Sequence, residues 1–318
     1  MRKEDLRIVF LGTPDFAVES LKVLVENNYN IVGVVTMPDK VAGRGHKIQQ
    51  SPVKQFALSN NLPILQPESL KDEQFINDLK ELRADLQIVV AFRMLPEIVW
   101  NMPPKGTFNL HASLLPQYRG AAPINWSIIN GDTETGVTTF FLKHDIDTGN
   151  IIFQEKTPIS DNDNAGTLHD RLMQIGAQLV LKTTDAIIDN TVSTKPQQNA
   201  DTLKSAPKIF KETCRIDWSK DAKDVRNFIR GLSPYPAAWT ELHIENMEPI
   251  TMKIFDCEII TEPNILVTGS VLHDKSNIDI AVKNGYIRLL DVQQAGKKRM
   301  SVKDFLNGFP MAEKAIFK

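Results

Sequence analysis

Three short apolar runs, at residues 6–12 (LRIVFLG), 31–36 (IVGVVT) and 86–91 (LQIVVA), constrain the fold of this chain most. Each is too short to cross a membrane and too continuously apolar for a strand with one wet face. Each therefore reads as an inner strand of a sheet covered on both sides. Between the first two runs, Thr13-Pro14-Asp15 opens a helix whose apolar positions Phe16, Val18, Leu21, Leu24 and Val25 recur at helical spacing. Strand, helix and strand in that order form a crossover, and crossovers join parallel strands. The turn after the first strand holds one glycine and a proline where the dinucleotide fingerprint GxGxxG needs three glycines, so that fingerprint is absent.

Further along, residues 38–50 (PDKVAGRGHKIQQ) lack apolar periodicity and read as a mobile basic loop. Ser51-Pro52-Val53 has the form of a capped helix start, residues 62–65 of a short strand, and residues 68–82 repeat at helical spacing. Phe92-Arg93-Met94-Leu95-Pro96 leaves the carboxyl end of the third strand, the place where open α/β sheets hold ligands. A helix is expected over about 167–189, followed by polar, proline-bearing sequence that reads as an interdomain linker. Beyond it, short apolar segments at 238–244, 250–259, 267–272, 278–282 and 286–292 suggest a small closed barrel. The expected division is 1–190, a linker at 191–207, and 208–318.

Composition narrows the class without naming a partner. Cutting after Lys204 leaves 20 basic and 24 acidic residues before the cut, and 17 and 15 after it, so the parts carry −4 and +2. Charges this small neither require nor exclude a nucleic-acid partner. Cys214 and Cys257 are too few for a disulfide framework or a thiolate metal cluster, which favours a reducing compartment. The N-terminus has no signal-peptide pattern, and no membrane association and a cytoplasmic location are expected.

The chemistry concentrates in residues 106–150. A strand over 107–110 brings Asn109 to its end and puts His111 on the same side, two residues on. A carboxamide beside an imidazole can stabilise charge developing on a carbonyl oxygen, and histidine transfers protons near neutral pH. Asp147, in a turn between expected strands at 137–142 and 150–155, can orient such an imidazole; Asp145 and His144 compete for that place. Ser113 lacks the GxSxG context of a nucleophile, and His111, His144, Asp145 and Asp147 match no zinc spacing, so no metal is expected.

Several blocks together resemble the methionyl-tRNA formyltransferase family: FLGTPDFAV at 10–18, PDKVAGRGHK at 38–47, SPVK at 51–54, HASLLPQYRGAAPINWSIINGDTETGVT at 111–138, DIDTGNI at 145–151 and RIDW at 215–218. The resemblance runs from the first strand through the last domain. It implies an α/β fold with an N-terminal Rossmann-like formyltransferase domain, a mostly parallel sheet, and a C-terminal OB-like barrel that contacts tRNA. It implies transfer of the formyl group of 10-formyltetrahydrofolate to the α-amine of methionine on initiator tRNA, by a monomer. Asn109, His111 and Asp147 fall on the family's catalytic trio, which selects Asp147 over Asp145. Ser113, Leu114, Leu115 and Pro116 fall on its folate-site motif, and Phe92, Arg93, Met94 and Leu95 on the pocket rim. Arg44, with His46 and Lys47, falls on the loop that meets the acceptor end of the tRNA.

The implied chemistry is attack by the neutral amine on the formyl carbon, with Asn109 and His111 donating hydrogen bonds to the oxygen that becomes charged. Asp147 orients or charges His111, and no covalent enzyme intermediate is needed. One departure stands out: many relatives carry glycine at the position of Arg93, and this chain is a residue shorter before Pro96. Two other readings compete. Formyl transfer to a small amine would need neither barrel nor basic loop, and a silent RNA-binding protein would have no use for the trio and SLLP.

Overall fold

A computed structural model describes residues 2–42, 47–198, 202–309, 311 and 314–318. Within it the chain forms two compact units, the first comprising Met1–Gly120, Thr135–Pro158 and His169–Ser205, the second Ala121–Glu134, Ile159–Leu168 and Ala206–Lys318. No helix among the described residues is long and apolar enough to cross a membrane.

The first unit contains β1 (Arg7–Gly12), α1 (Asp15–Glu26), β2 (Asn30–Val35), β3 (Lys40–Ala42), β4 (Lys47–Gln49), α2 (Pro52–Ser59), β5 (Ile64–Leu65), α3 (Glu73–Glu81), β6 (Leu86–Val90), α4 (Glu97–Trp100), β7 (Thr107–His111) and β8 (Arg119–Gly120). Its main sheet has the order β10-β9-β7-β6-β1-β2-β5. Here β9 is Glu134–Phe141 and β10 is Ile151–Pro158, with α5 (Pro123–Ile129) before them and α6 (Ala165–Ile188) after. The pairs β1 with β2, β1 with β6, β2 with β5 and β6 with β7 are parallel, whereas β7 meets β9 antiparallel. This is the mostly parallel sheet that the three apolar runs imply. In β1 and β6 nearly every residue is buried, as a strand covered on both faces requires.

Local chemistry sets the helix starts. Ser51 caps α2 by accepting a hydrogen bond from the Lys54 amide, as its sequence context predicts. The periodic stretch 68–82 is shorter than expected: the Asp72 side chain caps the Phe75 amide, so α3 begins only at Glu73. The basic segment 38–50 is not all irregular, because β3 and β4 pair as an antiparallel hairpin. Arg44 and His46 lie outside the described residues, and Lys47 is the first residue of β4.

The second unit is built on an antiparallel sheet of order β14-β15-β16-β13-β12-β18, with β17 paired to β16. Its elements are α5, β11 (Ser205–Ala206), α7 (Ala222–Leu232), β12 (Ala238–Ile244), β13 (Ile250–Ile260), β14 (Val271–His273), β15 (Ile278–Val282), β16 (Gly285–Gln294), β17 (Met300–Ser301), α8 (Val302–Gly308) and β18 (Ala315–Phe317). The Phe317 amide donates to the Gly269 carbonyl at 2.8 Å and Ser270 bridges Ile316, so the two sheet edges meet and the barrel nearly closes. Gly269 allows that approach, since a Cβ there would lie 2.3 Å from the Phe317 carbonyl oxygen at a φ of +87°. The third expected strand, at 267–272, is displaced to β14, because residues before it turn around Asn264, whose side chain bonds the Val282 carbonyl and the Leu266 amide. RIDW serves this core: Ile216 and Trp218 are buried, and Trp218 Nε1 donates to Thr240 Oγ1 at 2.9 Å.

Candidate active site

Strand β7 sorts its side chains by face. Phe108 and Leu110 are buried on one side, where Leu110 packs so closely on Gly176 of α6 that a Cβ there would lie 2.7 Å from it. Asn109 and His111 occupy the other side, as the alternation of a strand requires. Their register neighbours are Val89 and Phe140 for Asn109, and Thr138 for His111.

His111 is buried, with 7% of its side chain exposed, and its Nε2 lies 2.8 Å from the Tyr118 carbonyl oxygen. A carbonyl only accepts, so Nε2 carries the hydrogen and donates it. That puts a hydrogen on Nε2 and leaves Nδ1 as the ring nitrogen facing Asp147, whose Oδ2 stands 4.0 Å away. The gap is too long for a direct hydrogen bond. The Asn109 carboxamide is half-buried and makes no hydrogen bond among the described residues. An amide and an imidazole nitrogen on one face of the strand, neither hydrogen-bonded among the described residues, are placed to meet a ligand.

Asp147 sits on the turn between β9 and β10 in a left-handed conformation, φ +53°. Its Oδ2 accepts from the Gly120 amide at 3.1 Å. Gly149 makes the turn possible: a Cβ on it would sit 1.6 Å from the Phe141 carbonyl oxygen. The competing residues go elsewhere. His144 and Asp145 approach one another at 3.9 Å with side chains 87% and 84% exposed. Ala91 and Tyr118, which flank the site, also adopt left-handed φ values of +47° and +59°. Such conformations in non-glycine residues gather where a fold serves a site rather than its own relaxation.

The SLLP segment is held tightly. Ser113 is fully buried and donates to the Gln117 carbonyl at 2.6 Å. Thr138 Oγ1 donates to the Ser113 carbonyl and accepts from the Leu115 amide, while Gln154 Nε2 donates to the Leu115 carbonyl. Leu115 is buried; Leu114 and Pro116 are half-buried. The residues after β6 separate in role. Leu95 and Phe92 pack with Val9, Leu11, Val35 and Phe75 in one apolar cluster, and Met94 is 76% exposed. Arg93 donates to the carbonyl of Glu68 at 2.7 Å and to that of Pro67, and its guanidinium stands over the Phe92 ring. Burial pushes its pKa down from the usual arginine value. Arg93 thus ties the strand end to residues 67–68, a partnership that sequence spacing could not reveal.

Spacing also missed Tyr118, which acts through its backbone carbonyl, the buried Thr138, and Gln154, whose side-chain amide bonds Leu115 and Thr138; none leaves a motif of its own. Basic residues also gather in the second unit. Arg226, Arg230 and Arg299 line a cavity of about 250 Å³ together with Asp161, Asp163 and Asp256. Lys211 and Arg215 both stand over the Trp239 ring.

A family model described as "Formyl transferase" matches residues 6–184, and one described as "Formyl transferase, C-terminal domain" matches residues 208–310. A methionyl-tRNA formyltransferase of Bacteroides fragilis is 61% identical over 317 residues, covering 98% of each chain. One from Bacteroides thetaiotaomicron is 62% identical over the same length and coverage. Among solved structures, the sugar 3N-formyl transferase WlaRD, determined in the presence of dTDP and 5-N-formyl-THF, superposes with a TM-score of 0.64 at 23% identity, covering 92% of this chain and 99% of that one. An N-formyltransferase from Helicobacter canadensis, in complex with folinic acid and dTDP-3-aminofucose, gives a TM-score of 0.63 at 22% identity, with 93% and 100% covered. These two likenesses show the shared fold. The identity to the full-length relatives, spread over both units, shows that the chain belongs to the methionyl-tRNA formyltransferase family.

Proposed function

We propose that the protein transfers the formyl group of 10-formyltetrahydrofolate to the α-amine of methionyl initiator tRNA, giving N-formylmethionyl-tRNA, and that Asn109, His111 and Asp147 carry the chemistry. The observation that carries this reading is the half-buried Asn109 carboxamide beside a His111 Nδ1 that makes no hydrogen bond, with Asp147 Oδ2 4.0 Å from that nitrogen. These groups fit a formyl donor, because one carbonyl oxygen and one amine proton are what they can bind. The folate supplies an electrophilic formyl carbon when bound. Phe92, backed by the buried Leu95, offers apolar surface to its ring, Ser113, Leu114, Leu115 and Pro116 shape the loop beside it, and Arg93 and Met94 complete the proposed rim.

Asn109 Nδ2 donates to the formyl oxygen, and that bond strengthens as the oxygen takes up negative charge. His111 acts differently from the sequence expectation of a second donor. With Nε2–H bound to the Tyr118 carbonyl, the neutral ring presents Nδ1 as an acceptor, suited to take the proton that the amine loses as the carbon–nitrogen bond forms. Asp147 then balances the charge on the imidazolium. As the intermediate collapses and the bond between the formyl carbon and the folate nitrogen breaks, Nδ1–H returns that proton to the departing nitrogen, and the oxygen regains its carbonyl bond on the newly formed amide.

In this reading residues 1–190 form the catalytic domain, 191–207 the connection, and 208–318 the tRNA-binding barrel. Arg44, His46 and Lys47 meet phosphates near the acceptor end of the tRNA. The enzyme works as a cytoplasmic monomer. Transfer from 10-formyltetrahydrofolate to charged initiator tRNA, to free methionine and to small amines tests the acceptor. Strong preference for the tRNA is expected, and faster transfer to a small amine would reverse the assignment.

A further inference from the structure

The polar segment after α6, which the sequence presents as a connection, runs across the turn that carries Asp147. Lys195 bridges Ile151 in both directions, at 2.8 and 2.9 Å. The Lys204 amide donates to Gln117 Oε1, and the Lys204 carbonyl accepts from the Tyr118 amide. Between these anchors lies Gln197. Its Nε2 donates to the Asp147 carbonyl at 2.8 Å and to the Gly149 carbonyl at 2.9 Å. Its Oε1 accepts from Arg119 Nε at 3.0 Å and Nη2 at 2.6 Å.

This side-chain amide is used completely. Both hydrogens meet carbonyl oxygens and the oxygen meets two guanidinium hydrogens, so rotating the amide by half a turn would set donor against donor and acceptor against acceptor. The guanidinium bonds are charge-assisted and planar, which gives the clamp a fixed direction. What it grips is the left-handed backbone of Asp147, at φ +53°, from both ends of the turn. The neighbours of Arg119 complete the arrangement: the Tyr118 carbonyl holds His111 Nε2, and the Gly120 amide holds Asp147 Oδ2. Three consecutive residues thus engage the imidazole, the clamp and the carboxylate.

We propose that Gln197 and Arg119 are positioning residues for formyl transfer, forming a clamp that sets the Asp147 carboxylate against His111. The inference rests on Asn109, His111 and Asp147 being the reacting residues. The clamp acts on the distance and direction of the carboxylate and not on either substrate. Loss of a supporting hydrogen bond should therefore lower the chemical step while leaving binding constants alone.

The test uses the full-length enzyme and three variants: Gln197→Met, which keeps length and removes every hydrogen bond; Gln197→Glu, which keeps acceptors for Arg119 but sets oxygen against both carbonyls; and Asp147→Asn. Measurements are kcat and KM for 10-formyltetrahydrofolate and for charged initiator tRNA, with Tm. The expected result is a fall in kcat of roughly tenfold or more for Gln197→Met, with both KM values near those of the wild type, whatever stability the lost hydrogen bonds cost in Tm. Gln197→Glu should fall at least as far, which shows that the grip on the carbonyls matters, and it carries the test should Gln197→Met not fold. Wild-type kcat in the folded Gln197 variants, alongside a large loss in Asp147→Asn, would overturn the clamp and leave the site reading intact. A rise in both KM values with kcat unchanged would overturn it in favour of a purely structural role. Wild-type kcat in Asp147→Asn would overturn the site reading and the clamp with it.

Discussion

Residues 113–116 and the Asn109–His111 pair are near neighbours in the chain, yet their polar atoms are treated in opposite ways. In the first stretch the Ser113 hydroxyl and carbonyl, the Leu115 amide and the Leu115 carbonyl all have protein partners, supplied by Gln117, Thr138 and Gln154. In the second, the half-buried Asn109 carboxamide and the Nδ1 of the buried His111 have no hydrogen bond among the described residues. Polar atoms that the fold leaves unbonded on one face of a strand are open for something else to bind. The difference separates the part of a motif that builds the loop from the part that meets the reactants. It also explains why a serine that looks nucleophilic in sequence is occupied: its hydrogen is on the Gln117 carbonyl.

The comparison can be broken or sharpened by substitution. The largest effect on the fold is expected for Gly149→Ala, where the new Cβ would overlap the Phe141 carbonyl. Displacing that backbone should cost roughly 1–3 kcal/mol or more, read as a lowered unfolding midpoint, and should reduce transfer because Asp147 moves with the turn. A Gly149→Ala enzyme of wild-type stability and rate would show that the turn is looser than described.

Ser113→Ala comes next. It leaves the Gln117 carbonyl short of one donor and should cost about 1 kcal/mol in denaturant unfolding, with the rate of transfer within a few-fold of wild type. A large loss of rate at unchanged stability would move Ser113 into the reacting class.

The smallest effect concerns Asp39, another satisfied polar group, bound by Lys54 Nζ at 2.6 Å and Gln66 Nε2 at 2.9 Å. The Lys54 bond, followed by that of Gln66, holds its carboxyl below the usual carboxylate range. A group depressed in the folded state stabilises above its unfolded pKa and loses that contribution as pH falls through the folded value. Asp39→Asn should therefore flatten the dependence of Tm on pH at acid pH, below about 4, and leave transfer at neutral pH unchanged. An unchanged acid limb would remove Asp39 from that account.

Much of this arrangement is legible in the sequence, for identifiable reasons. The strands β1, β2 and β6 follow from continuous apolar runs, and Asn109 with His111 from the alternation of a strand. Boundaries fail where one side chain decides them, as when Asp72 caps α3 or Asn264 turns the chain before β14. The strands β17 and β18 are too short to carry a period. Segment 191–207 shows the deepest limit. Its polar composition says only that it is not core, whereas the structure uses that polarity to bind backbone, through Gln197 on the carbonyls of Asp147 and Gly149. Partners at such sequence distance are decided by tertiary structure, and no local pattern encodes them. Arg93 is the same case, since its carbonyl partners at residues 67–68 lie on another loop.

The most direct test of the account is the single-turnover rate of formyl transfer from 10-formyltetrahydrofolate to charged initiator tRNA, measured for wild type, Asn109→Ala, His111→Ala and Ser113→Ala, with tRNA affinity followed alongside. The account predicts a loss of about two orders of magnitude for each of the first two variants, as for removal of a group that acts on the developing charge or the transferred proton. It predicts near-normal tRNA affinity throughout and a rate close to wild type for Ser113→Ala. Wild-type rates in Asn109→Ala and His111→Ala would contradict it.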